Sequence, residues 1–461
     1  MKVLGSITVT VDYQGQQEEP PLLVVKGSGA SLLGRNWLKK IRLDWQGICQ
    51  LQQIPDLHET LQKYDDVFDD GLGEIKGMEA RIDVDPMAQP RFCKARPVPF
   101  ALRDKVEAEL ERLQRAGIIE PVQSAEWAAP IVPVVKGDGS VRICGDYRMT
   151  VNQASRLDSY PLPKVDELFA TLAGGTVFSK LDLQHAYLQL PLEKNSKQYT
   201  TINTHRGLFQ YNRLPFGVSS APGIFQRAID GLIKGIPHVA AYMDDILITG
   251  ETQQEHLQNL VAVLERLKTS GAKLKKPKCL LMVQEVEYLG HKVNSDGIHP
   301  TADKIKAIQD APLPRNVTEL KSFLGLLSYY SKFLPNMSTT LAPLYVLFQK
   351  NKKWRWGREQ QAALEQAKSV LQSDTLLVHY DPKKQLTLAC DASPYGLGAV
   401  ISHKMEDGSE KAIAFTSRTL TPAEKNYSQL EKEALAIVFA VKNFTLTCTE
   451  GISLSILTIN H

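Results

Sequence analysis

Two adjacent carboxylates, Asp244 and Asp245, lie between the apolar runs His238–Ala241 and Ile246–Ile248, with Tyr242-Met243 before them. Two β-forming runs around a short polar junction describe a hairpin with acids at its tip. Taken alone, an Asp-Asp pair is also what a solvated turn contains. Asp182 narrows that choice. It sits in Phe178-Ser179-Lys180-Leu181-Asp182-Leu183, a run that otherwise reads as a strand entering a core. An ionised carboxylate there is costly unless it is paired or binds a metal. If strand and hairpin are neighbours in one sheet, Asp182 and Asp244 converge. Clustered carboxylates repel, and divalent cations relieve them. Hard oxygen ligands without His or Cys favour Mg²⁺ or Mn²⁺ over zinc. Two such ions about 4 Å apart serve in-line phosphoryl transfer.

The rest of the chain supplies context. At roughly 100–200 residues per domain, 461 residues predict several domains. Short strands are expected over 7–11 and 22–25, then a Pro- and Asp-rich stretch without periodicity that reads as a linker. The spacing of Val106, Leu110 and Leu113 predicts a helix over 102–116, ended by Gly117. Apolar runs at 131–135 and 141–144, joined by Lys136-Gly137-Asp138-Gly139-Ser140, predict a hairpin. Asn316 with Glu319 predicts a helix N-terminus ahead of the stripe Leu320, Phe323, Leu324, Leu327. Strands over 386–390, 396–402 and 412–415 and a helix over about 424–444 predict a third unit of α/β or α+β type.

Charge is uneven. Residues 1–85 hold 9 Lys/Arg against 14 Asp/Glu, whereas residues 86–461 hold 45 against 37. A polyanionic partner therefore suits only the second part. Lys273, Lys275, Lys276 and Lys278, and the stretch 350–358 with Trp354 and Trp356, suit phosphate backbones or are solvated faces. The six cysteines, Cys49, Cys93, Cys144, Cys279, Cys390 and Cys448, form no Cys-x-x-Cys pair, which argues against a disulfide framework or zinc finger and suits a reducing compartment. With no run of 18 apolar residues and no basic-then-apolar N-terminus, the expectation is no membrane span and an intracellular, non-secreted protein.

Leu181-Asp182-Leu183, the run Leu214-Pro215-Phe216-Gly217-Val218-Ser219-Ser220-Ala221-Pro222 and Tyr242-Met243-Asp244-Asp245 resemble motifs A, B and C of reverse transcriptases, in order and at the right spacing. Lys94-Ala95-Arg96-Pro97-Val98-Pro99 and Tyr288-Leu289-Gly290-His291 narrow the resemblance to gypsy-type long-terminal-repeat retrotransposon polyproteins, nearly continuously from Pro90 to Phe444. The resemblance implies an α+β multidomain chain: a right-hand polymerase of fingers, palm and thumb, then an incomplete RNase H-like α/β domain, after a short β remnant of a retropepsin. The implied boundaries are 1–45 for the protease remnant, 46–89 for a linker, 90–300 for fingers and palm, 301–375 for thumb and connection, and 376–461 for the RNase H-like piece.

It implies RNA-directed DNA polymerisation with two Mg²⁺ or Mn²⁺ ions held by Asp182 and Asp244 and supported by Asp245. Lys136 and Arg142 would clamp the triphosphate, Tyr187 would block a ribose 2′-hydroxyl, and Phe216 and Gly217 would line the nucleotide and template position. Leu289, Gly290 and His291 would form the primer grip. The implied partners are an RNA template, a DNA primer or RNA–DNA hybrid, and dNTPs, in the cytoplasm, within virus-like particles, or in the nucleus. Two other readings are a catalytically inactive or host-adopted nucleic-acid-binding relic, and an RNA-templated RNA polymerase; an aromatic residue at Tyr187 speaks against the latter.

The ends resemble fragments. Residues 22–45, with Ser31-Leu32-Leu33-Gly34-Arg35-Asn36-Trp37, resemble the end of the family's aspartic protease, but its Asp-Thr/Ser-Gly triplet is nowhere in the sequence, so no protease activity is expected. Cys390-Asp391-Ala392-Ser393 and Glu431-Lys432-Glu433-Ala434-Leu435 resemble the first acidic motifs of RNase H, with Asp391 and Glu433 as metal ligands. No Asp follows residue 407, so that site is expected to be incomplete. After Phe444 the family continues with three residues and Leu-Tyr-Gly-Arg-His-Phe-Thr. Codons permitted for residues 447–454, read two bases later, spell that run, which suggests a single-base deletion placing residues from about Thr445 out of frame. Nucleotides unable to encode the alternative would end that hypothesis.

Overall fold

The paired acids do stand at a hairpin tip in a computed structural model that describes residues 2–13, 16–19, 21–26, 37, 57–69, 71–156, 160–348, 353–371, 376–381, 384–445 and 454–458. The chain divides into two units, Met1–Lys63 and Tyr64–His461. In the first, β1 (Lys2–Thr8) pairs antiparallel with β4 (Pro21–Lys26), and β2 (Val11–Tyr13) with β3 (Gln16–Glu18). Helix α1 spans Leu57–Gln62. Of the protease-like motif at 31–37 only Trp37 is among the described residues; its indole N–H donates to the Pro21 carbonyl at 2.8 Å.

The second unit starts inside the stretch expected as a linker. There a 3₁₀ turn over Asp65–Phe68 leads into an extended strap over 71–82 that is built into the larger unit. Ile75 N–H donates to the Gln189 carbonyl (2.8 Å), Ala80 N–H to that of Pro191 (2.7 Å), and Glu193 N–H to that of Ala80 (3.0 Å). Ile75, Ala80 and Ile82 are buried. Their spacing has neither a helical nor a strand period, because the strap bonds through isolated bridges, so a periodicity reading cannot find it.

Helix α2 (Phe100–Arg115) buries Val106, Leu110 and Leu113 and is followed by Gly117 at φ +66°. Strands β5 (Ile119–Val122), β6 (Ala129–Val135) and β7 (Val141–Gly145) belong to a five-stranded sheet with β9 (Ile202–Thr204) and β10 (Gly207–Tyr211), in the order β5-β10-β9-β6-β7. After α3 (Val165–Thr171) comes the sheet that carries the acids, in the order β11-β12-β8-β13. Its strands are β8 (Val177–Asp182), β11 (Val239–Tyr242), β12 (Asp245–Gly250) and β13 (Leu280–Val283). Phe178, Leu181, Ile246, Leu247 and Ile248 are wholly buried; since the consecutive residues 246–248 point to alternate faces, both faces of this sheet are covered. Helices α4 (Ala221–Ile233) and α5 (Gln253–Ser270) pack on this sheet; Thr252 caps α5 by accepting from Glu255 N–H, and Gly271 at φ +80° ends it.

Strands β14 (Glu285–Tyr288), β15 (His291–Asn294) and β16 (Gly297–Pro300) form a three-stranded meander. The expected N-cap is present: Asn316 Oδ1 accepts from Glu319 N–H at 2.9 Å, and α6 (Val317–Tyr329) buries Leu320, Phe323, Leu324 and Leu327. Helices α7 (Met337–Thr340) and α8 (Arg358–Val370) follow. One apolar core runs from Leu168 through Phe178, Tyr288 and Leu324 to Leu377, so the helices past residue 301 share a core with the acid-bearing sheet.

A separate core holds the last part. Strands β17 (Leu386–Ala392), β18 (Gly396–Lys404) and β19 (Glu410–Thr419) are antiparallel, with α9 (Gln429–Asn443) packed on β17 and β18. The helix expected from 424 begins at Gln429, because Ser428 and Glu431 make a reciprocal capping box there. Most of the run read as out of frame, 446–453, lies outside the described residues; β20 (Leu454–Thr458) then pairs parallel with β17. Among the described residues no helix is long and apolar enough to cross a membrane.

Candidate active site

The site is a consequence of strand register. Asp245 stands directly opposite Asp182 across β12 and β8, and Tyr242 pairs with Asp245, leaving Met243-Asp244 as a two-residue loop. Leu183 N–H donates to the Asp244 carbonyl at 2.8 Å, tying that loop to the end of β8. All three acids expected from the sequence therefore meet at one sheet end.

Their charges are handled unequally. Lys278 Nζ sits 2.9 Å from Asp182, and Lys180 Nζ sits 3.0 Å from Asp245. Among the described residues no ammonium stands that close to Asp244: burial, then the Asp182 and Asp245 charges, push its carboxyl pKa up. Among the described residues no three His, Cys, Asp or Glu side chains form a ready metal cage. The donor set nevertheless suits a hard divalent cation, since it is all carboxylate and two ammonium groups already stand against it. Lys180 was not anticipated; its signal was position, two residues before Asp182 on the same strand face.

Beside the acids lies a crevice lined by Glu109, Arg112, Lys136, Arg142, His185, Tyr211 and Phe216, among others. The β6–β7 hairpin brings in Lys136 and Arg142, and Arg142 stacks 5.1 Å above the Phe216 ring. Desolvation, followed by Arg112, Lys136, Lys275 and Arg142, lowers the His185 pKa, which is the signature of a cationic pocket suited to an anion. Tyr187 packs 5.1 Å from both Phe216 and Phe225, and its hydroxyl reaches Met243 Sδ at 3.6 Å. Burial, then Asp244, raises its pKa to about 12, so it is a neutral ring at physiological pH. Gly217 has φ +99°, and a Cβ there would meet the Gly145 carbonyl at 2.8 Å. Only glycine meets both demands without strain.

Other expected residues behave differently. His291 is 1% exposed, so its ring is turned into the protein rather than toward a primer. It stacks on Phe333 at 5.6 Å, and its Nδ1 donates to the Leu289 carbonyl at 2.7 Å. The less buried part of that motif is the Leu289-Gly290 turn, half-buried and at φ +47° and +67°. Tyr329 donates to Leu289 O at 2.6 Å and Tyr330 to Gly290 O at 3.0 Å, two contacts the sequence did not suggest.

Three of the four lysines at 273–278 are held by acids: Lys273 by Asp69, Lys276 by Asp65 and Lys278 by Asp182. Residues 350–352 lie outside the described residues, and Trp354 and Trp356 stack on each other at 5.8 Å and pack on the core. Also unanticipated is the buried Asp146, paired with Arg96 at 2.7 Å and Arg148 at 2.8 Å beside Tyr147.

At the second acidic site, β17 carries Asp391 and α9 carries Glu433. Gln429 Nε2 donates to Glu433 Oε1 at 2.7 Å and to the Ala392 carbonyl at 2.9 Å, fixing helix to strand. Glu433 Oε2 is buried without a hydrogen-bond partner, which suits a cation ligand.

The family described as reverse transcriptase (RNA-dependent DNA polymerase) matches residues 134–293, and the RNase H-like domain found in reverse transcriptase matches residues 356–450. Among curated relatives, the transposon Tf2-3 polyprotein of Schizosaccharomyces pombe (strain 972 / ATCC 24843) is 31% identical over 404 residues, covering 86% of this chain and 30% of the relative. The Tf2-7 polyprotein of the same organism is 30% identical over an equal length and coverage. The chain thus spans about a third of the length of these relatives. Among solved structures, a foamy viral protease-reverse transcriptase in complex with dsDNA is 26% identical, covering 91% of this chain and 87% of its own, with a TM-score of 0.78. The dRH form of that enzyme, in complex with ds DNA, shares the fold at a TM-score of 0.79 and 24% identity, covering 98% of this chain and 83% of its own.

Proposed function

Since this chain belongs to the reverse transcriptases of gypsy-type retrotransposon polyproteins, we propose that it extends a primer 3′-hydroxyl with dNTPs on an RNA template. The observation that carries this reading is the meeting of Asp182, Asp244 and Asp245 at one sheet end, beside the cationic crevice of Lys136 and Arg142. A foamy viral protease-reverse transcriptase is solved in complex with RNA/DNA hybrid, and a nucleic acid of that class is the inferred partner here.

Asp182 and Asp244 would hold two Mg²⁺ or Mn²⁺ ions, with Asp245 in support; bound there, they acidify the primer hydroxyl and neutralise the triphosphate. The protein's own groups do the positioning. Arg142, braced on Phe216, offers a planar guanidinium to paired phosphate oxygens, and Lys136 adds a point charge. Lys180 and Lys278 balance the acids, and Lys278, far more exposed than Asp182, is free to swing off it. The Leu289-Gly290 turn, held by Tyr329 and Tyr330, would seat the primer end. An intracellular setting accompanies this reading.

Primer extension by the purified chain, on an RNA template with dNTPs and Mg²⁺ or Mn²⁺, tests it. Product is expected; tight template binding without any product would mark a binding relic instead. Tyr187 tests sugar choice. Wedged between Phe216 and Phe225, its ring is rigid enough to exclude a 2′-hydroxyl by contact. Tyr187→Ala should raise ribonucleotide incorporation at least about 10-fold, as one lost steric or packing contact of 1–3 kcal/mol allows. Ribonucleotide preference in the unaltered chain would defeat the deoxynucleotide assignment.

A further inference from the structure

The acid-bearing loop has an unusual backbone. Met243 takes φ +56° in a two-residue hairpin loop, at a position that favours glycine. Its N–H has no place in the strand ladder, so something else must hold it.

That partner is Gln226 on α4, a polar side chain with 0% exposure among Ile224, Phe225, Ala228 and Ile229. Gln226 Oε1 accepts from Met243 N–H at 2.9 Å. Its Nε2 donates to the Ala241 carbonyl at 2.8 Å and to Asp230 Oδ1 at 2.9 Å. The other Asp230 oxygen accepts from the Tyr160 hydroxyl at 2.6 Å. These bonds determine which way the amide points. A carbonyl and a carboxylate can only accept, so the NH₂ must face them and the oxygen must face Met243.

We propose that Gln226, oriented by Asp230 and Tyr160, is a positioning residue that holds the Met243-Asp244 loop in its working conformation. Its functional consequence rests on the polymerase reading; its structural consequence does not. Through Met243 Sδ the same hold reaches Tyr187, so one buried amide sets both an acid and the sugar-facing ring. Gln226 touches neither substrate nor metal.

Two variants test this. Gln226→Glu turns an oxygen against Ala241 O and Asp230, removing the hold. Asp230→Asn is gentler: it replaces the charged acceptor of the Gln226 NH₂ by a neutral one and loosens the Tyr160 contact, weakening the orientation of Gln226 while the Ala241 carbonyl still holds it. Amide exchange at Met243, read by NMR or mass spectrometry, should accelerate in both. Since displacement on the order of 1 Å costs about 100-fold, kcat should fall about 100-fold in Gln226→Glu and about 10-fold in Asp230→Asn. The dissociation constant for primer–template should stay unchanged, which separates lost positioning from lost folding. If Gln226→Glu melts like the unaltered chain and keeps both its Met243 protection and its kcat, the inference is overturned. A chain that extends no primer would sink the polymerase reading, yet accelerated Met243 exchange in the variants would still support the clamp.

Discussion

Asp244→Asn should abolish primer extension, with a loss on the order of 1,000-fold or more in kcat, and should also raise the melting temperature in metal-free buffer. Both effects have one cause. Burial and the Asp182 and Asp245 charges raise the Asp244 carboxyl pKa, so its charged form is disfavoured in the folded chain. A carboxylate with a raised folded pKa contributes stability below its unfolded pKa and loses it as pH rises through the folded value. At neutral pH, without metal, Asp244 is therefore a cost to folding. Asparagine removes the charge, keeps the size, and leaves the Leu183 N–H to Asp244 carbonyl bond untouched. A merely structural Asp would behave oppositely, losing stability and activity together. The measurement pairs single-nucleotide incorporation with a thermal melt, and unchanged synthesis by the variant would show that Asp244 is not a metal ligand.

How much of this was legible beforehand depended on whether the determining contacts were local. The hairpin at 239–250, the Asn316 cap and the Val106-Leu110-Leu113 stripe were legible because periodicity and caps are written within a dozen residues. Although the residue expected beside Asp182 was Asp244 and the one directly opposite it is Asp245, that Asp182 would converge on the acidic hairpin tip was legible from an acid placed where a core residue belongs. The strap at 71–82 was not, since its burial depends on backbone bonds to residues more than 100 positions away. The burial of His291, expected from the sequence as part of a primer grip, was hidden for the same reason: its neighbours Phe169, Tyr329 and Phe333 come from α3 and the α6 region. Gln226 carried a usable signal, a lone amide on an apolar helix face, but its meaning needed the partner strand. The basic run at 273–278 left a phosphate contact and a solvated face both open, because charge is visible in a sequence whereas the acids that answer three of its lysines are not.

Two buried histidines, His256 and His291, make the fold acid-sensitive well above the carboxylate range. Burial lowers the pKa of His256 and of His291 from 6.5 to about 4. In each case a proton has nowhere to go. His256 bonds Ser179 Oγ through Nε2 at 2.8 Å, and its Nδ1 is buried without a partner. His291 donates from Nδ1 to Leu289 O, its bare Nε2 faces aromatic rings, and the Lys332 ammonium repels a second charge. Between pH 6.5 and about 4 the unfolded chain binds protons that the folded chain refuses, so stability rises with pH across that window and is lost as pH falls. The shift amounts to roughly 2 kcal/mol per histidine between pH of about 7 and about 5. Depressed carboxylates such as Asp146 and Glu424 lose their contribution only below their ordinary values of 3.8 and 4.5, and Asp244 shifts the other way. Urea denaturation at the two pH values should therefore show a loss of at least about 4 kcal/mol, to which the lesser depressions of His185, His379 and His403 add, and His291→Phe, which keeps a ring in the aromatic cluster, should remove about 2 kcal/mol of it. A variant with the full slope would mean that His291 is not the titrating group, and a flat wild-type profile would mean that neither histidine is held neutral.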